Sequence, residues 1–306
     1  ISNPEGNEFC RVFNPAEAEF GNTSWIDKFY SRQECFNCDS TLMIPISSTG
    51  HWHIHDLTTD ADGYATDKPD YNHMFNPGFA AEDIQWDKND PYVFRFIHKY
   101  GAGTKRYEYN VQTRTVVELH DYGPALRAAD PALANCAGFR TVGEGVTSED
   151  GEYGCYILQE AYNGSDYPYL GVAVINHFTH ENEGVLVGGT PPNHTSMSRN
   201  GLYAIISWYS AGGPDGNGGA FSYHRDMTLN TRLTVVRGEH SDLVKGRDGD
   251  DWLVCVEFGN PSQIPGVTSN GYIYATNTRT GEVKQYFRIY DPNVTTGIHM
   301  TGLSIK

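Results

Sequence analysis

Apolar residues in this chain come in short runs of strand length, separated by clusters rich in Gly, Asn, Asp and Pro. From residue 82 these runs fall into groups of four. The first group predicts strands at 82–86, 92–100, 105–110 and 116–120, with a turn at Asp87-Lys88-Asn89-Asp90-Pro91. The second predicts 140–146, 153–160, 170–176 and 184–187, turning at Ser148-Glu149-Asp150-Gly151. The third covers 194–198, 202–209, 220–225 and 232–237, turning at Arg199-Asn200-Gly201. The fourth covers 240–245, 252–258, 272–277 and 283–289, with turns at Arg247-Asp248-Gly249 and Thr278-Arg279-Thr280-Gly281. Asn-Gly and Asp-Gly supply the positive φ angles that tight hairpins require. Helical periodicity is confined to 123–134, an Ala-rich stretch between the first two groups.

Four antiparallel strands recurring every 45–55 residues or so is the period of a propeller blade. The expected fold is therefore all-β, a β-propeller in one domain over 1–306, with blades at about 82–120, 139–188, 194–237 and 240–289. Strands at 25–30, 41–47 and 51–57 predict an irregular first blade over about 20–57. Residues 297–306 resemble the opening strand of a further blade. A propeller removes its strand edges by closing, so either the first segment completes this last blade or, the favoured reading, the chain is a fragment of a larger propeller or is completed by a second chain.

Composition narrows the setting. Gly and Tyr are abundant and aromatics reach 13 %, which suits many short strands joined by turns. The net charge of −16 argues against nucleic-acid or anionic membrane partners, though a small basic pocket on an acidic surface still accommodates a polyanion. The longest apolar runs have strand length and none matches a membrane-spanning helix. The even cysteine count and the acidic, Asn/Gly/Tyr-rich composition point to a secreted, extracellular or periplasmic protein, and the sequons at Asn22, Asn163, Asn193 and Asn293 take glycans only on a eukaryotic secretory route. Six cysteines allow one or two disulfides, and Cys35-Phe36-Asn37-Cys38 reads as a turn-bridging disulfide or as reduced thiols rather than zinc.

Candidate chemistry rests on histidines. His194, His240 and His299 each stand near the start of a predicted innermost strand, with His73 as a fourth. Convergence at one structural position would let them bind a metal or a carboxylate. Cys255 lies on the strand that turns back from His240, so His240, Cys255 and His299 form a possible structural zinc set, against the plainer reading of a buried thiol. His51, His53 and His55 alternate and share one strand face, read as a surface strand or one lining a cleft. Tyr209 and Arg225 flank a Gly-rich loop, with His224 beside Arg225, and this places a phenol, an imidazole and a guanidinium on neighbouring strands. Arg pairs bidentately with a carboxylate while Tyr or His moves a proton.

The blade pattern, the inner-strand histidines and a Tyr sixteen residues before an Arg resemble the seven-bladed propeller polysaccharide lyases over about 70–306. Ulvan lyases are the nearer likeness and oligogalacturonate lyases the more distant one. The resemblance implies β-elimination on an anionic, uronate-containing polysaccharide. It makes Arg225 the carboxylate clamp, and Tyr209 and a histidine the acid and base. It carries the family's histidine pair onto His53 and His73, with His98 and His120 as the alternative, and it fits a structural zinc. His194, His224 and Trp208 are the expected substrate contacts. A non-catalytic glycan- or protein-binding propeller is the main alternative, since a fold does not dictate a function. A glycoside hydrolase using carboxylates such as Glu144, Asp242 and Glu257 ranks last, because no pair of them stands out.

Overall fold

The structure is a computed structural model, and it describes residues 26–27, 35–47, 52–57, 71, 73–98, 103–141, 147–208, 212–234, 241–256 and 272–288. The first sheet holds β1 (Ile26–Asp27), β2 (Leu42–Met43), β3 (Ile46–Ser47), β4 (Trp52–Asp56) and β5 (His73–Phe75). The second holds β6 (Ala81–Trp86), β7 (Val93–His98), β8 (Lys105–Asn110) and β9 (Thr115–Asp121). The third holds β10 (Gly138–Arg140), β11 (Tyr153–Gln159), β12 (Tyr169–Asn176) and β13 (Asn182–Val187). The fourth holds β14 (His194–Met197), β15 (Tyr203–Trp208), β16 (Gly219–His224) and β17 (Leu229–Arg232). The fifth holds β18 (Ser241–Lys245), β19 (Asp251–Val256), β20 (Tyr272–Asn277) and β21 (Val283–Arg288). In the last four sheets the strands pair in chain order and all are antiparallel, the arrangement of a propeller blade.

Three expected elements differ. The helix α1 spans Gly123–Ala129 only, because Asp130 is extended before Pro131, and a single 3-10 turn follows at Pro131–Leu133. The last strand of the fourth sheet begins at Leu229, three residues before the expected 232, since the turn at Arg225–Thr228 is tight: Met227 N donates to His224 O and His224 N to Thr228 O. The first sheet extends beyond residue 57, because β5 joins β4.

Apolar cores lie between sheets. One packs Trp52, Ile54 and Phe75 of the first sheet on Phe94, Phe96 and Tyr109 of the second. Others join Ile97 of the second to Phe139 and Tyr156 of the third, Ile157 and Val172 of the third to Ile206 and Phe221 of the fourth, and Ile205 of the fourth to Leu253 and Tyr274 of the fifth. Middle strands such as β11, β12 and β15 are therefore buried on both faces and read as apolar runs rather than as alternations. The sheets also approach closely at their outer strands. A Cβ on Gly184 of β13 would sit 2.5 Å from the backbone carbon of Asp226 in the next sheet.

Polar side chains fix the hairpins. Tyr153 N donates to Ser148 Oγ at 3.0 Å, and Tyr203 N to Ser198 Oγ at 2.9 Å, across turns whose Gly151 and Gly201 have φ of +74° and +71°. Asn176 and Asn277 end the third strands of their sheets. Each accepts two backbone N–H groups of the outer turn and donates to a carboxylate of the first hairpin, Glu152 at 3.1 Å and Asp250 at 2.9 Å. Cys38, Cys136 and Cys155 are unbridged, so Cys35 and Cys38 are not joined to each other. Cys136, Cys155 and Cys255 are buried, and burial raises the Cys136 thiol to about 11.

Candidate active site on the inner strands

The first hairpins of the last four sheets share one register. Each closes on a backbone hydrogen bond: Asp87 N to Val93 O, Ser148 N to Tyr153 O, Ser198 N to Tyr203 O and Gly246 N to Asp250 O. Four residues beyond each closing carbonyl stand Ile97, Ile157, Ser207 and Val254, and opposite them on the innermost strands stand Glu82, Arg140, His194 and Asp242. One level of four consecutive sheets thus carries two carboxylates, a guanidinium and an imidazole.

Their direction follows from their neighbours. Phe139 packs into the core shared with the second sheet, Thr195 Oγ1 donates to Cys155 O of the third at 2.9 Å, and Leu243 packs with Tyr203 and Ile205 of the fourth. Each of these side chains faces the preceding sheet. Alternation along a strand sends Arg140, His194 and Asp242 out of the opposite face. Glu82 projects in the same sense, since its Oε2 accepts from Thr141 N of the third sheet at 3.4 Å. Glu82 and His194 are buried, whereas Arg140 and Asp242 are partly exposed.

The opposite end of the sheets is sealed. Gln85 Nε2 donates to Ser148 O at 2.8 Å, Glu149 N to Arg199 O at 2.9 Å, and Asn200 N to Asp251 Oδ2 at 2.7 Å. The loops between second and third strands stand at the other end of the polar level.

The residues expected from sequence are placed differently. Trp208 pairs with Gly219, and His224 pairs with Tyr203. Arg225 therefore stands six residues beyond Gly219, about 20 Å along the strand from the Trp208 end. Its guanidinium lies over the Tyr153 ring of the third sheet, 4.3 Å from the centroid. Arg225 and His224 thus stand at the end of the hairpin away from Trp208; Tyr209 lies outside the described residues, so the expected grouping falls outside them. Trp208 is buried and donates from Nε1 to Thr190 O at 2.9 Å, so its face is not offered to a sugar. His224 is exposed, 5.4 Å from the Tyr203 ring, at the sealed end.

His53 pairs with Met74 and Ile54 with His73, so His53 and His73 project from opposite faces of their sheet. His73 Nδ1 donates to Tyr71 O at 2.7 Å and Nε2 meets Tyr109 Oη at 2.7 Å, while burial lowers its pKa. His53 and His55 are buried, which corrects the surface-strand reading. His98 stacks on Phe79 and His120 on His180, at 3.7 and 4.1 Å between centroids. His98 and His120 are likewise on opposite faces, since His120 pairs with Arg106, which pairs with Ile97. His240 and His299 lie outside the described residues, as do Glu144 and Glu257. Cys255 is buried and pairs with Ser241. The residue that matches His194 in the next sheet is Asp242, two positions after His240. Among the described residues, no three His, Cys, Asp or Glu side chains lie close enough to share a metal ion.

A second buried polar group escaped the sequence reading. Arg106 Nη2 donates to Gln85 Oε1 at 3.3 Å, with Asp83, Tyr122 and Tyr156 close enough to act on its charge. Tyr156 Oη meets His177 Nε2 at 3.0 Å, and His177 Nδ1 lies 2.9 Å from Gly151 O. A carbonyl only accepts, so Nδ1 carries the proton and Tyr156 donates to Nε2. Burial first, and then the Arg106 charge, hold the His177 pKa well below its ordinary value.

The sign of the pH effect follows. The unfolded chain takes up a proton on His177 near pH 6.5 while the folded chain refuses it, so this share of stability is complete above pH 6.5 and is lost as pH falls below it. Between pH 7.5 and 5 wild type should lose more stability than His177→Gln. Urea unfolding of both proteins at pH 7.5 and 5 measures this, and parallel losses in the two would refute it.

No protein-family model matches the chain, and no curated protein matches it in sequence. Solved structures do match in shape. An oligogalacturonate lyase in complex with manganese superposes with a TM-score of 0.54 at 13% identity, over 85% of this chain and 65% of that one. The chain thus spans 65% of that protein's length. A TolB-like protein from Agrobacterium tumefaciens (TM-score 0.48, 12% identity, 86% of this chain and 82% of that one) and an oligogalacturonate lyase from Vibrio parahaemolyticus (0.42, 12%, 86% and 79%) are similar at lower scores. Together with the sheet topology, the likeness defines the class of fold, a β-propeller. Oligogalacturonate lyases, one of the two kinds of protein that the sequence resembles, are thus similar to it in fold.

Proposed function

We propose that the protein is a carbon–oxygen lyase that cleaves a uronate-containing, ulvan-like polysaccharide by β-elimination. The observation that carries this reading is the shared register of Glu82, Arg140, His194 and Asp242 on four consecutive inner strands. Arg140, rather than Arg225, pairs with the uronate carboxylate and makes the adjacent C5 proton more acidic. His194 takes that proton as general base. The C5–H electron pair becomes the C4–C5 double bond, and the C4–O bond breaks towards the departing sugar. Tyr209, next in the chain after Trp208, returns a proton to the leaving oxygen. Glu82 holds the guanidinium by opposite charge, and Asp242 stabilises the imidazolium that forms when His194 takes the proton. The likeness in fold to an oligogalacturonate lyase supports the reaction class.

Incubation with ulvan, polygalacturonate, alginate and glycosaminoglycans, followed by the ultraviolet absorbance of the unsaturated uronate, tests the proposal. Product on at least one acidic polymer is expected. Silence across the panel would remove the lyase reading and leave a glycan-binding propeller.

A further inference from the structure

The loop joining β11 to β12 carries two tyrosines at the open end of the third sheet. Tyr162 is 56 % exposed and Tyr167 is partly buried, with ring centroids 5.1 Å apart and planes at 45°. The loop is fixed by its own hydrogen bonds. Asn163 Oδ1 accepts from Ser165 N, Ser165 Oγ and Asp166 N, each at 3.0 Å. Gln159 Nε2 donates to Tyr167 O at 3.2 Å, and Glu160 N to Pro168 O at 2.9 Å. The tyrosine pair is therefore already ordered before any ligand arrives, which lowers the entropic cost of binding.

Its location ties it to the site. Arg140 pairs with Ile157, and the loop leaves the sheet at residue 160, about 10 Å further along the strand. That is the reach of a sugar unit or two along a polymer held at Arg140. Phe178, which is also strongly exposed, lies in the turn at the sealed end instead.

We propose that Tyr162 and Tyr167 form a stacking subsite for a neutral sugar of a mixed polysaccharide in which neutral and uronate units alternate. The polymer class rests on the reading above. A pyranose presents an apolar C–H face, which suits the negative face of an aromatic ring. Glu160 and Asp166 flank the pair, so a uronate seated there would meet like charge, whereas a neutral unit would not. The subsite thus selects alternating polymers over homopolymers of uronate.

The test is affinity electrophoresis of the full chain in gels holding desulfated ulvan, hyaluronan, polygalacturonate or dextran, alongside the ultraviolet assay. Stronger retardation by an alternating polymer than by polygalacturonate is expected. Tyr162→Ala should weaken retardation about five-fold, and Tyr162→Phe, which keeps the ring face, should restore it. Wild-type retardation by Tyr162→Ala, or no retardation of wild type in any gel, overturns the subsite. Unsaturated product with retardation independent of Tyr162 removes the subsite alone. Retardation that depends on Tyr162 without any product removes the lyase reading alone.

Discussion

Replacing Arg106 by alanine should destabilise the protein by about 1–3 kcal/mol, the cost of leaving a buried hydrogen-bond partner unsatisfied. Arg106 is buried on β8, bonded to Gln85, with the buried Asp83 acting on its charge. Removing the guanidinium leaves Asp83 without that countercharge and Gln85 Oε1 without its donor, and it opens a cavity between the second and third sheets. The effect also reaches the seal, because Gln85 Nε2 donates to Ser148 O. Urea denaturation of Arg106→Ala and of the double variant Arg106→Ala/Asp83→Asn measures the coupling. The double variant should recover part of the loss. A single-variant cost below about 1 kcal/mol would show that the charge is dispensable.

Arg140→Ala should lower kcat about 10³-fold while changing KM little, because the guanidinium is asked to act on charge that grows as the C5 proton leaves. Arg140→Lys should restore only part of the rate, since an ammonium is a point charge and a guanidinium pairs through two parallel bonds. Arg225→Ala should leave kcat unchanged, because that side chain stacks on Tyr153 near the sealed end. The reverse outcome, a loss with Arg225 and none with Arg140, would return the clamp to the residue expected from spacing alone.

The sheets were legible in the sequence because middle strands such as β11, β12 and β15 are apolar runs bounded by turn residues with a fixed backbone need. The site was not, and two irregularities explain why. Counting four residues back from Ser148 lands on Glu144, but Thr147 pairs with Gly154 while Arg140 pairs with Ile157, so four extra residues intervene. Counting four back from Asp87 lands on Asp83, but a register shift between Glu82 and Gln85, with Asp83 at φ +55°, moves Glu82 into the matching place. Such bulges re-aim side chains without altering the apolar pattern. His194 was found because its strand has no bulge. Tyr209 and Arg225 were grouped because both end strands, yet adjacent strands in a hairpin run in opposite directions. The Arg106–His177 group joins distant segments, so no local spacing reveals it.

Among the described residues each apolar core is shared by two sheets, so each sheet depends on its neighbour to bury its apolar face. Cohesion accumulates sheet by sheet, as couplings between nearest neighbours along a line. A defect in one seam is then felt most by the two sheets that flank it, and hydrogen exchange should open the molecule like the pages of a book, at the weakest spine first. The proposed chemistry spans four sheets and three such seams. Its geometry is therefore only as well kept as the loosest of them.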